Sequence, residues 1–289
     1  MSPNSSCSRA GLAVAVMLLL LSIPTHGTLA LLLPTKEGIV VCADRMEWNR
    51  VEGAKDADKI FALNDEVGFV VVGAAGLSVP NLGTLKPVFS LSECVKKFYT
   101  QHHFRDNASD WSELTHFLKK SFETAYRENN ATIETSPGAV DDVVWEVDFL
   151  YSTGRSPAVK QILYRLGGQT RVTSLSETPY IAGQTAVALR ILRPTQLSDN
   201  RFSDLRGDAN IARAWRSSAP GYPRDVTVED ALILGYTFIR ASAERMQFIS
   251  NDPNLVGPIC DCAIVRKGSG FRWLHRMVDT RTSVLALPH

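Results

Sequence analysis

Thr28 follows Gly27, and a cut between them would put a free amine and a hydroxyl on one residue. An α-amine has an unperturbed pKa of about 7.7 to 8.0. It is therefore substantially neutral near physiological pH, and a terminal threonine carries the base that activates its own oxygen. Left inside an intact chain, Thr28 is only a β-branched residue at the start of a strand. Other chemistry-bearing residues offer less. His102 and His103 are adjacent in a polar stretch, which reads as solvated surface rather than as metal ligands. There is no Gly-rich phosphate loop and no Cys/His spacing of a zinc site, so no cofactor is expected.

The segment ahead of Thr28 bears on that cut. Arg9 precedes the apolar run Gly11 to Leu21, then Ser-Ile-Pro and Thr25-His26-Gly27, the basic, apolar and small-residue parts of a secretory signal peptide. The run is shorter than the roughly 20 residues that a membrane span needs. Residues 1–27 are thus read as a signal peptide or propeptide, with an uncleaved anchor as the alternative and a secreted or periplasmic location implied. A competing cut after Ala30 would remove Thr28 altogether.

The chain has 289 residues and 45% hydrophobic content, enough for a substantial core. Only Arg9 is charged in residues 1–27, so the remainder carries 30 basic against 30 acidic residues. A formally neutral chain has no footprint for nucleic acid. Cys7 lies in the leader; Cys42, Cys94, Cys260 and Cys262 remain, an even number whose pairing the spacing leaves open. Asn107-Ala-Ser and Asn130-Ala-Thr are sequons.

The elements that must position these residues follow from periodicity. Leu29 to Leu33 and Ile39 to Ala43 flank Pro-Thr-Lys-Glu-Gly and read as a hairpin; Ile60 to Leu63 and Gly68 to Val72 read as a second, ending in Gly73-Ala-Ala-Gly. Residues 113–128 show helical spacing, WEVDFLY and Gln161 to Leu166 read as strands, and Gly183 to Leu192 and the stretch opening at Thr227 read as helices. ICDCAIV and FRWL close as strands. Segregated strands and helices predict an α+β fold, a four-layer αββα sandwich, formed by one domain over 28–289. The segment 193–225, long for a loop, reads as an insertion that includes Arg206-Gly207-Asp208 as a turn.

Taken together, Gly27-Thr28, GIVVCADR, the lone Lys59 before IFAL, VGFVVVGAAG, AGQTAVALRIL, TVEDAL and GPICDCAIV resemble the proteasome β-type N-terminal-nucleophile hydrolases across most of residues 28–274. The resemblance implies roles. Thr28 would be the nucleophile. Asp44, sixteen positions on, would orient and charge a lysine, and Lys59 would be that lysine, whose ammonium favours hydroxyl deprotonation. Gly73, fourteen after Lys59, would offer its N–H to the oxyanion. The pattern also departs. The family's serine beside the terminal amine is Ala182 here, its supporting acid and serine fall near Met246 and Val256, and a position often basic is Met46.

The function implied is an exported threonine hydrolase that cleaves peptide or other amide bonds through an ester on Thr28. The alternatives are a catalytically inactive assembly or binding module and an amidase or acylase of small molecules. A homo-oligomer is possible by the same resemblance, whereas export leaves no role for the ATPase partner of cytoplasmic relatives.

Overall fold

The computed structural model describes residues 23–25, 28–49, 53–81, 84–102, 104–131, 143–152, 156–175, 179–183, 226–249 and 256–276. Of the expected leader over 1–27 only residues 23–25 are described; the rest of it, residues 184–192 of the expected helix from Gly183, the insertion over 193–225 and Met246's side chain lie outside what is described.

Two five-stranded sheets carry the molecule. The first has the order β12-β11-β10-β7-β6, from β6 (Ile60–Ala62), β7 (Val67–Gly73), β10 (Val143–Ser152), β11 (Pro157–Arg165) and β12 (Thr170–Leu175). The second has the order β13-β2-β3-β14-β15, from β2 (Leu29–Pro34), β3 (Gly38–Asp44), β13 (Tyr180–Gly183), β14 (Cys260–Arg266) and β15 (Gly270–His275). Smaller sheets pair β1 (Ile23–Thr25) with β8 (Gly76–Asn81) and β9 (Thr84–Ser90), and β4 (Met46–Asn49) with β5 (Gly53–Asp56).

The unbroken apolar run of β2 follows from where it sits. Ala30 and Leu32 point into a cluster between the two large sheets, with Val41, Val70, Val72 and Leu150. Leu29, Leu31 and Leu33 point the other way, onto helix α3 (Val228–Ile249). A strand buried on both faces loses its polar alternation. β7 behaves likewise, since Phe69 and Val71 face α1 (Leu91–Gln101) and α2 (Ala108–Glu128) while Val70 and Val72 face the second sheet. Removing one of these side chains to Ala would cost about 2–5 kcal/mol for the large aliphatics.

The helices begin where their caps say. Thr227 and Asp230 bond reciprocally, hydroxyl to N–H at 3.1 Å and N–H to carboxylate at 3.1 Å, and open α3. Asn107, the first sequon, accepts from Asp110 N–H at 3.0 Å, so α2 starts before the periodic stretch at 113.

The expected fold class needs correction. In place of an α+β four-layer αββα sandwich, the described residues form a mostly antiparallel β architecture of fifteen strands and three helices. Helical cover is uneven, with α1 and α2 on the first sheet and α3 on the second. The error has a physical source in strands that the sequence hides. GLSVPN and TLKPVFS contain prolines, which argue against a strand, and yet they pair as β8 and β9. β12 is short and mostly exposed, so it has no apolar alternation to read.

Candidate active site

Thr28 is 1% exposed and enters β2 beside the end of β13, where Ala182 pairs with Ala30 and Gly183 with Leu29. Gly183 has φ +83°, and a Cβ there would lie 2.0 Å from the Thr28 carbonyl oxygen and 2.8 Å from Val72 Cγ1. Only glycine fits so close a backbone approach. The same contact puts Val72, and therefore the end of β7, next to Thr28.

Asp44 ends β3 and is fully buried. Its Oδ1 accepts from the Leu29 N–H at 2.6 Å, the peptide that joins Leu29 to Thr28, and its Oδ2 accepts from Met46 N–H at 2.9 Å and Gly257 N–H at 3.1 Å. Lys59, 3% exposed, stands just ahead of β6, and its carbonyl accepts from Val71 N–H at 3.0 Å. Gly73 closes β7 with φ +84°, and a Cβ there would fall 2.4 Å from the Val144 carbonyl oxygen. The four residues singled out in the sequence thus come from four strand ends that converge where the two large sheets meet.

Burial pushes the Asp44 carboxyl up, while Lys59 and three N–H donors pull it down. Burial likewise lowers the Lys59 ammonium below its ordinary range, opposed by the negative charges of Asp44 and Glu47 and assisted by Lys55. Each member is the other's largest electrostatic influence, so the two act as a pair. The lowered value makes Lys59 readier to release a proton than a surface lysine.

Beside the pair lies a cleft of about 210 Å³, its lining including Lys59, Glu47, Phe61, Val71, Ala75 and Ser90. The lining mixes apolar side chains with two lysines, Lys55 and Lys59, and two carboxylates, Glu47 and Asp58.

A comparison with family models finds no match, and a comparison with curated proteins finds none. Among solved structures the chain is similar to the Anbu (Gly-1) mutant from Hyphomicrobium sp. strain MC1, at 15% identity over 88% of each chain, with a TM-score of 0.47. A likeness that remote decides nothing about single residues.

The departures are also placed. Ala182 is 1% exposed and belongs to the apolar cluster between the sheets, so a methyl group stands where the resemblance calls for a hydroxyl. Val256 is buried in the α3 cluster and directly precedes the Gly257 N–H that serves Asp44. A Cβ on Gly257 would lie 2.9 Å from Met46 Cβ, which accounts for both the glycine and its role. Nothing in the local sequence flags that donor, because its partner is 213 residues away.

Two further features escaped the sequence reading. Cys42 and Cys262 sit opposite one another on β3 and β14 and form a disulfide, with Cys94 and Cys260 free. Gly235 of α3 packs on that bridge, a Cβ there falling 2.6 Å from Cys42 Sγ. Arg45, next to Asp44, is the hub of an ion-pair network described below.

Proposed function

We propose that Thr28, freed by cleavage after Gly27, is the nucleophile of an amide hydrolase acting on extended peptides. The observation that carries this reading is the Asp44 carboxylate. It holds the Leu29 N–H at 2.6 Å, one bond from Thr28, and shares a buried site with Lys59. A buried charge pair beside a hydroxyl is costly unless it serves a purpose.

The chemistry follows from this arrangement. The Thr28 hydroxyl oxygen attacks the amide carbonyl while its proton passes to the Thr28 α-amine, which the field of Lys59 keeps neutral. The carbonyl oxygen becomes an anion, and the Gly73 N–H is the donor assigned to it, a contact type worth about 2.7–4 kcal/mol. Collapse breaks the C–N bond, the leaving amine takes the proton from the α-amine, and an ester remains on Thr28. Water activated by the same amine then hydrolyses that ester.

Peptides are favoured over small acyl-amides by the strand that precedes the cut. Ile23–Thr25 runs antiparallel to β8, with Thr25 opposite Gly76 and Ile23 opposite Ser78. Once the leader is gone, that edge of β8 is open to an extended segment, and strand addition is a common way to bind one. The apolar run of residues 11–21 supports export of the enzyme.

Ala182 favours a second reading, a non-catalytic relative, because it offers no hydroxyl to steady the amine. The Ala182 methyl removes that hydroxyl but leaves the amine and hydroxyl of Thr28 itself in place, and the expected outcome is slow but real catalysis.

N-terminal sequencing of the mature protein comes first as a test, with Thr28 expected and Leu31 fatal to the proposal. Mature protein is then treated with an epoxyketone, whose ring closure needs amine and hydroxyl on one residue. Mass spectrometry should find an adduct on Thr28, absent in Thr28→Ala. Folded, correctly processed protein that takes up no probe and cleaves no peptide or acyl-amide would make the binding-module reading the better one.

A further inference from the structure

Arg45 takes no part in the steps above, yet it is 7% exposed and bonded to three carboxylates at once. Its Nε and Nη2 hold the two oxygens of Asp56 at 2.9 and 2.8 Å, a two-point grip that only a guanidinium gives. Its Nη1 reaches Asp58 at 2.8 Å and the buried Asp261 at 2.6 Å. Its backbone is tied as well. Arg45 N–H donates to Ile259 C=O at 3.0 Å, and Arg45 C=O accepts from Ala57 N–H at 2.7 Å.

The three partners sit in telling places. Asp56 ends β5 and Asp58 immediately precedes Lys59, in a link with no strand pairing of its own. Asp261 lies on β14 opposite Ala43, beside the Cys260–Asp44 pair. Arg45 itself follows Asp44, and the peptide between Arg45 and Met46 carries one of the three N–H groups that Asp44 accepts. One side chain therefore joins the strand end that bears Asp44 to the link that bears Lys59 and fastens both to β14.

Resting on the reading of Thr28 as nucleophile, we propose that Arg45 is a positioning residue for that reaction, fixing Lys59 in register with Asp44 by holding Asp56 and Asp58 against the end of β3. Without the grip, the link ahead of Lys59 keeps the Ala57 N–H bond to the Arg45 carbonyl and the Arg276 contact to Asp58 at 3.4 Å, but loses its side-chain tie to β14. Errors of about 1 Å in such a site cost up to a hundredfold in rate. The three carboxylates also lose their shared counter-charge. The other groups that set the state of Lys59 are Asp44 on β3, Glu47 on β4 and Lys55 on β5, and all remain in place.

Two independent readouts test this in the mature protein. The first is epoxyketone labelling of Thr28, resolved into reversible binding and the rate of adduct formation. Arg45→Gln should slow adduct formation at least about tenfold, with reversible binding changed less than about twofold, and Arg45→Lys should recover only part of the loss because it restores charge but not the fork. The second is the Lys59 titration followed by NMR of isotope-labelled lysine, assigned with Lys59→Met. In Arg45→Gln the midpoint should move up as the nearby carboxylates lose their counter-charge. Should Arg45→Gln not fold, Arg45→Lys and Asp56→Asn, which removes one arm at an exposed carboxylate, give the same comparison. Variants that merely melt earlier, with labelling rate and Lys59 midpoint as in the wild type, would overturn the proposal. A wild type that takes no probe would sink the hydrolase reading alone, and the Lys59 midpoint would still decide whether Arg45 controls that lysine.

Discussion

Two buried aspartates, one on each large sheet, are treated in opposite ways. Asp44 on β3 accepts three backbone N–H bonds and stands beside the buried Lys59. Asp148 on β10 is equally buried, but neither of its oxygens has a hydrogen-bond partner among the described residues. Its neighbour is another acid, Glu146, whose carboxylate is itself bonded by Gln161 Nε2 at 2.7 Å. Burial and Glu146 push the Asp148 carboxyl well above its ordinary range, and none of the groups that set its state is a cation. Burial raises both carboxyls, but Asp44 has a cation and three N–H donors that oppose the rise, whereas Asp148 has an acid beside it that adds to it. Inaccessibility alone therefore does not mark a functional acid. What surrounds the carboxyl does.

The largest effect should come from changing the acid that has a cation beside it. Asp44→Asn keeps the shape but turns an NH₂ group toward N–H donors and leaves Lys59 buried without its partner. Breaking a buried pair on one side costs about 3–5 kcal/mol of stability. The expected outcome is a variant that takes up no epoxyketone on Thr28 and whose denaturation midpoint falls clearly. Labelling at the wild-type rate would erase the distinction between the two acids. Lys59→Ala tests the other half, with adduct formation expected to drop by more than tenfold, or 1.4 kcal/mol of barrier.

The sequence disclosed the Asp44 half of this contrast and not the Asp148 half. Asp44, Lys59 and Gly73 were singled out by the family resemblance, at offsets counted from Thr28; what the hydrophobic runs made legible was their position at strand ends. The donors that make Asp44 special were not legible, since Gly257 arrives from 213 residues away and Leu29 looks like any strand residue. Asp148 was invisible as an anomaly because WEVDFLY alternates acids with large apolar residues, the pattern of a strand with one wet face. That face meets the second sheet, as the burial of Glu146, Asp148 and Leu150 shows. The fold class failed for a related reason. Alternation reports two environments per strand, and strands such as β2 that have two dry faces, or β8 with Pro80, do not announce their neighbours.

A middling effect concerns what braces each acid. Cys42–Cys262 staples β3 to β14 two residues from Asp44 and closes a loop of 220 residues, while β10 has no such bridge among the described residues. Loss of a native disulfide typically costs about 2–4 kcal/mol. Cys42→Ala/Cys262→Ala should therefore unfold at lower urea than the oxidised wild type, by a difference that strong reductant abolishes. Equal midpoints under oxidising conditions would mean that pairing between β3 and β14 suffices without the bridge.

The smallest effect is a slope. A carboxyl whose folded pKa is raised holds its proton in the native state and releases it on unfolding. Above the unfolded value near 3.8 the native state then binds more protons, and stability falls as pH rises, until the folded pKa is passed. One such group contributes at most about 1.4 kcal/mol per pH unit. Asp148→Asn removes that contribution and keeps the size and shape of the side chain. The variant should match the wild type near pH 4 and become progressively more stable than it toward neutral pH, with Thr28 labelling unchanged. The measurement is urea denaturation at several pH values, read as the difference between the two proteins so that the raised Asp44 and every exposed acid cancel. A difference that stays constant with pH would mean that Asp148 is ionised in the folded protein. The cation missing from its surroundings would then have to be found, and the contrast with Asp44 would become one of partner rather than of charge.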